Sequence, residues 1–199
     1  MVATPQYELA KYLDSIIKPC IPNRYMLNST EDFLTKLRDV RLPSQHFFVS
    51  YDVESLFTNI PLDEVIELAC KYVYGPESDD KPAYDIRHFR TLLKFACNGI
   101  FLYKDSIFKQ VNGVAMGSPL APTLANLFLA HHEQTWINNN NAPFMYCRYV
   151  DDIFCIFEGN TNSNRHHNFL EFLNTRHDNL RFTVEIGPNY IPFLDANVA

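Results

Sequence analysis

Three aspartates are the residues of this chain whose type and spacing best suit chemistry. Asp151 and Asp152 stand side by side in Cys147-Arg148-Tyr149-Val150-Asp151-Asp152-Ile153-Phe154-Cys155-Ile156-Phe157, between two runs of aromatic and β-branched residues. Asp52 comes near the end of another such run, Phe47-Phe48-Val49-Ser50-Tyr51-Asp52-Val53. Residues of this kind favour strands, and a tight reversal between two apolar strands lifts charges clear of a buried sheet face. The pattern predicts a hairpin with acids at its tip and a further strand that brings Asp52 to the same point. Carboxylates displayed in this way can hold Mg2+, which takes a few of them and fills its remaining positions with phosphates and water. Two such ions about 3.5–4 Å apart can clamp an in-line displacement at phosphorus. Asp52 and Asp151 would be the shared ligands, with Asp152 a closer or outer-sphere third. The competing reading is a solvated turn, because a short acidic motif remains a hypothesis until its structural context is met.

A second stretch carries small residues with a purpose. In Gln110-Val111-Asn112-Gly113-Val114-Ala115-Met116-Gly117-Ser118-Pro119-Leu120-Ala121-Pro122, Gly113 and Gly117 let the backbone come close to a base pair or sugar, and Ser118-Pro119 starts a long helix running to about Trp136. A simple loop-to-helix turn would need only one glycine.

With these residues in view, a resemblance can be stated. Tyr149-Val150-Asp151-Asp152 resembles the hairpin motif of reverse transcriptases. Ser50-Tyr51-Asp52-Val53-Glu54-Ser55-Leu56-Phe57-Thr58-Asn59-Ile60-Pro61 resembles their first catalytic motif, and the stretch from Gln110 to Pro122 is similar to the motif that grips template and incoming nucleotide. The order matches too. The wording of the first two stretches in chain order, with Phe193-Leu194-Asp195 after them, resembles the Penelope-like retroelements, which are relatives of telomerase. The resemblance implies an α+β fold, a right-hand polymerase palm whose small antiparallel sheet is backed by helices, with fingers and thumb largely missing. Residues 1–199 would form one partial reverse transcriptase domain, with a helical lead-in at 1–45 and the palm core at about 46–199.

The implied reaction is RNA-directed DNA synthesis, transfer of a nucleotidyl group from a dNTP to a primer 3′ hydroxyl. The implied partners are an RNA template, a DNA primer and the dNTP, and the cofactor is a pair of Mg2+ ions, with Mn2+ as an alternative. The resemblance gives the metals to Asp52, Val53, Asp151 and Asp152, and the substrate to Val53, Phe57, Gln110, Met116, Gly117 and Ser118. Phe57, five residues after Asp52, falls where the family places a bulky gate under the sugar; otherwise it is an ordinary core phenylalanine. Many reverse transcriptases carry glutamine where this chain has Met116, so template contact there differs, and Gln110 is a candidate substitute. Two other classes compete: a catalytically silent retroelement remnant, and a nucleic-acid-binding module on a palm fold, since fold alone does not fix activity. Metal-dependent primer extension separates them.

Composition sets the bounds. A chain of 199 residues, 47% hydrophobic and 20% charged, can bury a proper core as one domain. It has no apolar run of about 18 residues and no signal-peptide pattern at its start, so an intracellular and, for a retroelement enzyme, nuclear location is expected, with no membrane partner. The five cysteines form no C-x-x-C pair, which speaks against a zinc knuckle or disulfide framework. They are expected to be reduced and mostly buried. Asn28-Ser29-Thr30 fits a glycosylation acceptor but reads better as a helix start with Asp32 completing a capping pattern. The net charge of -6 counts against a strong nucleic-acid grip, which normally comes from clustered Lys and Arg. A metal-binding core is nevertheless acidic by necessity.

The elements that must position the acids follow from periodicity. Helices are expected over 4–18, stopped by Pro19 and Pro22, and over 29–40 with Phe33, Leu34 and Leu37 facing inward. Tyr7 and Tyr12 read as packing residues, and neither helix is expected to carry chemistry. Pro61 opens a helix whose first-turn acids Asp63 and Glu64 suit its dipole. A surface loop at 75–83 leads to a helix over 85–98, then a hairpin, 100–103 with 106–110, turning at Lys104-Asp105. Residues 138–141 read as a loop. His131-His132 and His166-His167 cannot chelate as pairs, since neighbours on a helix point about 100° apart; solvated or capping roles are expected. A helix over 165–176 and a strand over 181–186 precede a final strand from Pro192, where Asp195 reads as a structural or edge residue. Neither repeats nor a second domain are expected.

Overall fold

Residues rich in Phe, Val, Ile and Tyr at 46–53 and 145–158 form the strands their side chains favour. In the computed structural model, which describes residues 5–78, 80–137, 142–187 and 190–199, strand β1 is His46–Val53. Two short strands follow it in the chain, β2 (Ile100–Tyr103) and β3 (Ser106–Lys109), and then β4 (Met145–Tyr149), β5 (Asp152–Glu158) and β6 (Phe182–Gly187). Four of these make one antiparallel sheet in the order β4-β5-β1-β6. Residues Ile153–Phe157 of β5 are all buried, so both faces of the sheet are covered. On one face Phe48, Phe154 and Ile156 pack with Phe33 of helix α2 (Thr30–Arg38) and with Ile191, Phe193 and Val198 of a closing hairpin, β7 (Ile191–Phe193) and β8 (Ala196–Val198). On the other, the Tyr51 and Phe157 rings meet Phe169 of helix α7 (Arg165–Asn174) edge-on at 5.7 and 5.9 Å.

This sheet belongs to one of two compact units, formed by residues 23–54 and 132–199; the other joins 1–22 to 55–131. The division crosses the expected boundary at 45/46. In the second unit, helices α1 (Pro5–Ile17), α4 (Leu62–Tyr74) and α5 (Ile86–Ala96) pack on one another, joined by the one-turn α3 (Leu56–Asn59) and by most of α6 (Leu120–Trp136), within which the unit boundary falls. Its polar ties are specific. Gln6 donates to the carbonyls of Phe95, Ala96 and Asn98 at the C-terminal end of α5, satisfying groups that a helix end leaves without partners. Arg90 grips Glu67 with two bonds of 2.6 and 2.8 Å, and Thr123 donates to Asp14.

The local signals behave as chemistry dictates. Ser29 caps α2 by accepting from the Asp32 amide, while Asp32 accepts from the Asn28 amide, one residue earlier than in the usual reciprocal box. Lys104 and Asp105, with φ of 46° and 58°, make the mirror-image turn that matches strand twist between β2 and β3. Two expectations need correction. Leu34 is 36% exposed instead of facing inward. His166, expected at the solvent, is buried: its ring packs edge-on against Phe47 and its carbonyl accepts from the Tyr51 hydroxyl at 2.9 Å. The strand expected from Pro192 is β7, which pairs with β8 in a hairpin, and Asp195 in its turn is structural as expected, its carboxylate 3.3 Å from the Thr30 hydroxyl. The loop expected at Asn138–Asn141 lies outside the described residues.

Candidate active site

The sheet brings the three aspartates to one end. Asp52 of β1 is the direct partner of Asp152 of β5, and Tyr149 pairs with Asp152 to close a two-residue turn of Val150 and Asp151. The turn is tied back to β1 by the Val53 amide, which donates to the Asp151 carbonyl at 3.3 Å. Asp52 and Asp152 are exposed and Asp151 half-buried. The Val53 side chain is in the core, at 1% exposure, so only its main chain is left to face a ligand. A cleft of about 480 Å3 beside them is lined by Ser50, Asp52, Asp152, Thr183, Glu185 and the β7 end at Phe193.

Charge crowding shows in the acids themselves. Partial burial, then the Asp151 and Glu54 carboxylates, push the Asp52 pKa up; burial, then Asp151 and Asp52, do the same to Asp152. Groups that desolvate and repel one another in this way gain from a cation among them.

The turn is also conformationally strained. Val150 has φ of 55°, a left-handed conformation that costs a β-branched residue on the order of 1–3 kcal/mol. Beneath it lies a polar network that sequence reading missed. Arg148, fully buried on β4, bonds both oxygens of Glu133 on α6, at 2.6 and 3.1 Å, and sends a third bond of 2.7 Å to the Val150 carbonyl. The Tyr146 hydroxyl donates to the same Glu133 at 2.7 Å. Burial opposes the Arg148 charge, but Glu133, Tyr146 and Asp151 outweigh it and raise the guanidinium pKa.

The helical unit holds the other expected residues. Gly113 has φ of 73°, and a Cβ there would lie 2.6 Å from the Phe57 and Thr58 carbonyl oxygens; its amide donates to the Ile60 carbonyl at 3.2 Å, and that of Val114 to the Phe57 carbonyl at 2.7 Å. The loop is thereby laced to the α3 turn. Phe57, Met116, Gly117 and Ser118 consequently share one cleft of about 290 Å3. Gly117, with φ of 84° and no atom near its missing Cβ, leaves open space there. Gln110 is not brought to this cleft: it donates to the Asn112 carbonyl and lines a different one with Lys94 and Lys109. It is thus not placed to substitute for a glutamine at Met116. Two unexpected residues are present instead. Tyr7 and Lys11 of α1 line the Phe57 cleft, with the Lys11 ammonium 4.7 Å from the centre of the Tyr7 ring. Helical periodicity gives no hint of this, because only the tertiary fold sets α1 beside residue 57.

Comparison with known proteins bears on the fold and the family. Among solved structures, the chain is similar to telomerase from Candida albicans in complex with a TWJ fragment of telomeric RNA, with a TM-score of 0.66 at 12% identity over 99% of this chain and 36% of that one. Apo telomerase from Candida tropicalis, truncated of its C-terminal domain, gives 0.63 at 10% identity over 98% and 43%. The BmCPV RNA-dependent RNA polymerase at its elongation state gives 0.55 at 13% over 97% and 19%. The chain thus spans less than half the length of these proteins, and identities this low carry the fold alone, a polymerase palm with mixed helices and an antiparallel sheet. No curated protein matches the sequence. A sequence model of the reverse transcriptase (RNA-dependent DNA polymerase) family matches residues 6–186, and with that match over most of its length the chain belongs to the reverse transcriptase family, whose members carry out RNA-directed nucleotide polymerisation.

Proposed function

We propose that this chain is the catalytic, palm-centred part of a retroelement reverse transcriptase of Penelope-like type, extending a DNA primer on an RNA template. The observation that carries the reading is the direct pairing of Asp52 with Asp152 beside the Asp151 turn. The Penelope-like assignment rests on the wording of residues 52–59, 116–122 and 193–195. An all-oxygen donor set in which Asp151 pushes up the pKa of both Asp52 and Asp152 suits a hard divalent cation, so Asp52, Asp151, Asp152 and the Val53 main chain would hold Mg2+, or Mn2+ in its place. Bound there, two such ions supply activation of the primer hydroxyl and charge neutralisation on the departing pyrophosphate.

The remaining roles fall to the chain's own groups. In the reaction the primer 3′ oxygen forms a bond to the α-phosphorus of the dNTP, and the bond to pyrophosphate breaks. Phe57 offers an apolar wall to the sugar, which differs between DNA and RNA by one hydroxyl. Gly117 and Ser118 let the backbone approach the nascent pair, with Met116 as an apolar neighbour. A polymerase that copies an element into chromosomal DNA would work in the nucleus.

The test is metal-dependent primer extension by the protein and by Asp52→Asn and Asp151→Asn. Each substitution removes a ligand while keeping shape, so extension should be abolished and the unfolding midpoint retained. Extension by either variant at near the original rate would refute the site. Absence of extension by the unaltered full-length protein under the same conditions would favour the silent remnant.

A further inference from the structure

Arg148 and Glu133 are used by none of the roles above, yet they form the most deeply buried polar structure beside the aspartates, at 0% and 2% exposure. A fully buried ion pair is often no more stabilising than apolar residues of the same volume, so its presence calls for a specific task. The bonding suggests one. Glu133, itself held by the Tyr146 hydroxyl, takes Nε and one Nη of the Arg148 group, and the other Nη reaches the Val150 carbonyl, in the residue that adopts the left-handed conformation just before Asp151. The backbone of Arg148 is clamped as well: its amide donates to the Tyr25 carbonyl and its carbonyl accepts from the Leu27 amide, both at 2.8 Å. The guanidinium is therefore a strut that ties the Glu133 helix to the Val150 turn.

Resting on the metal-site reading above, we propose that Arg148 is a positioning residue: held by Glu133, it fixes the Val150 turn and so sets the direction in which Asp151 and Asp152 present their carboxylates to the cation. Groups that orient metal ligands without touching the metal commonly change affinity by about 10- to 100-fold when altered.

The experiment measures Mn2+ uptake by the full chain, from loss of the free-ion electron paramagnetic resonance signal, alongside thermal unfolding, so that activity is not needed. Arg148→Lys keeps the charge but loses the fork that reaches both Glu133 and Val150; its Mn2+ affinity should fall about 10-fold or more. Val150→Gly added to that variant should recover most of the loss, because glycine adopts the left-handed turn without support. Loss of an ordinary structural ion pair would not be repaired at residue 150. A third variant, Glu133→Leu with Tyr146→Phe and Arg148→Met, replaces the network by apolar groups of similar volume; it should unfold cooperatively near the original midpoint and still bind Mn2+ weakly. Original affinity in a folded triple variant, or in Arg148→Lys, overturns the proposal. So does recovery that fails at Val150→Gly. Asp52→Asn with Asp151→Asn should bind no Mn2+ at this site. If that variant binds as the original does, or the original chain binds none, the metal site itself is refuted, and this inference with it.

Discussion

Three carboxylates at one sheet end oppose one another, and that opposition is measurable as a dependence of stability on pH. The folded-state pKa values of Asp52 and Asp152 are raised, first by burial and then by neighbouring acids, above the ordinary aspartate value of 3.8. A raised folded value means that the folded chain holds these protons more tightly than the unfolded one. Their contribution to stability is therefore full below about 3.8 and is lost as pH rises through the folded values, so at neutral pH the cation-free site is a cost. Asp52→Asn should have an unfolding midpoint equal to or above that of the original chain at pH 7, with the advantage shrinking toward pH 4, as read by thermal melts across that range. A drop of several degrees at pH 7 would instead make Asp52 a structural acceptor. Added Mn2+ should reverse the order, because only a competent site gains stability from a bound ion. These acids were legible in the sequence because paired charges between apolar runs have few places to go. Arg148 and Glu133 were not, since a charged residue in a helix or strand reads as solvated until a partner is found, and theirs lies fifteen residues away on another element. His166 was misread for the same reason: its burial comes from Phe47, far away in the chain.

At the scale of elements, periodicity and caps reached nearly every helix and strand, and the failures have physical causes. The α3 turn has four residues, too few to show a period, and it exists because its carbonyls meet the Gly113 and Val114 amides. Leu34 was assigned inward by spacing alone, but α2 offers a single buried side chain, Phe33, to the sheet. The α3 contact is what gathers Phe57 with Met116 and Gly117, so it can be tested as a unit. Gly113→Ala places a methyl group against two carbonyl oxygens at 2.6 Å and keeps a positive φ of 73°. The conformational part alone costs about 1 kcal/mol, and backbone that cannot move aside adds to it, for a total of roughly 2–4 kcal/mol. Chemical denaturation should show this as a lowered midpoint with an unchanged slope. Gly117→Ala, with open space at its Cβ, should lose only the conformational part. Equal stability of the two variants would mean that the loop is not laced to α3 as described.

For the molecule as a whole, a sequence read in order could not reveal that residues 1–22 join 55–131 while 23–54 join 132–199, because that grouping depends on contacts between distant segments. Net charge was legible, and the structure sharpens its meaning. The chain has 17 Lys and Arg against 23 Asp and Glu, and several of the cations are already engaged: Arg148 with Glu133, Arg90 with Glu67, Arg87 with Asp85, Lys36 with Asp32 and Lys94 with Asp63. Phosphate binding releases counterions in proportion to the contacts made, and a protein making about 6–10 of them loses roughly 10³–10⁵ in affinity between 50 and 200 mM salt. With acids outnumbering cations and part of the cations paired, this chain should bind an RNA–DNA hybrid weakly and with a shallow salt dependence, a log–log slope of magnitude below about 3. The acids at the sheet end add a repulsive part that a divalent cation removes. At constant ionic strength, Mn2+ should therefore strengthen hybrid binding by the original chain more than by Asp52→Asn with Asp151→Asn, whose repulsion is already reduced. Fluorescence anisotropy of a labelled hybrid over 50–200 mM salt reads both quantities. A slope of about -6 or steeper would show that the acidic balance does not limit the number of phosphate contacts, and an equal response of the two proteins to Mn2+ would detach the aspartates from the nucleic-acid site.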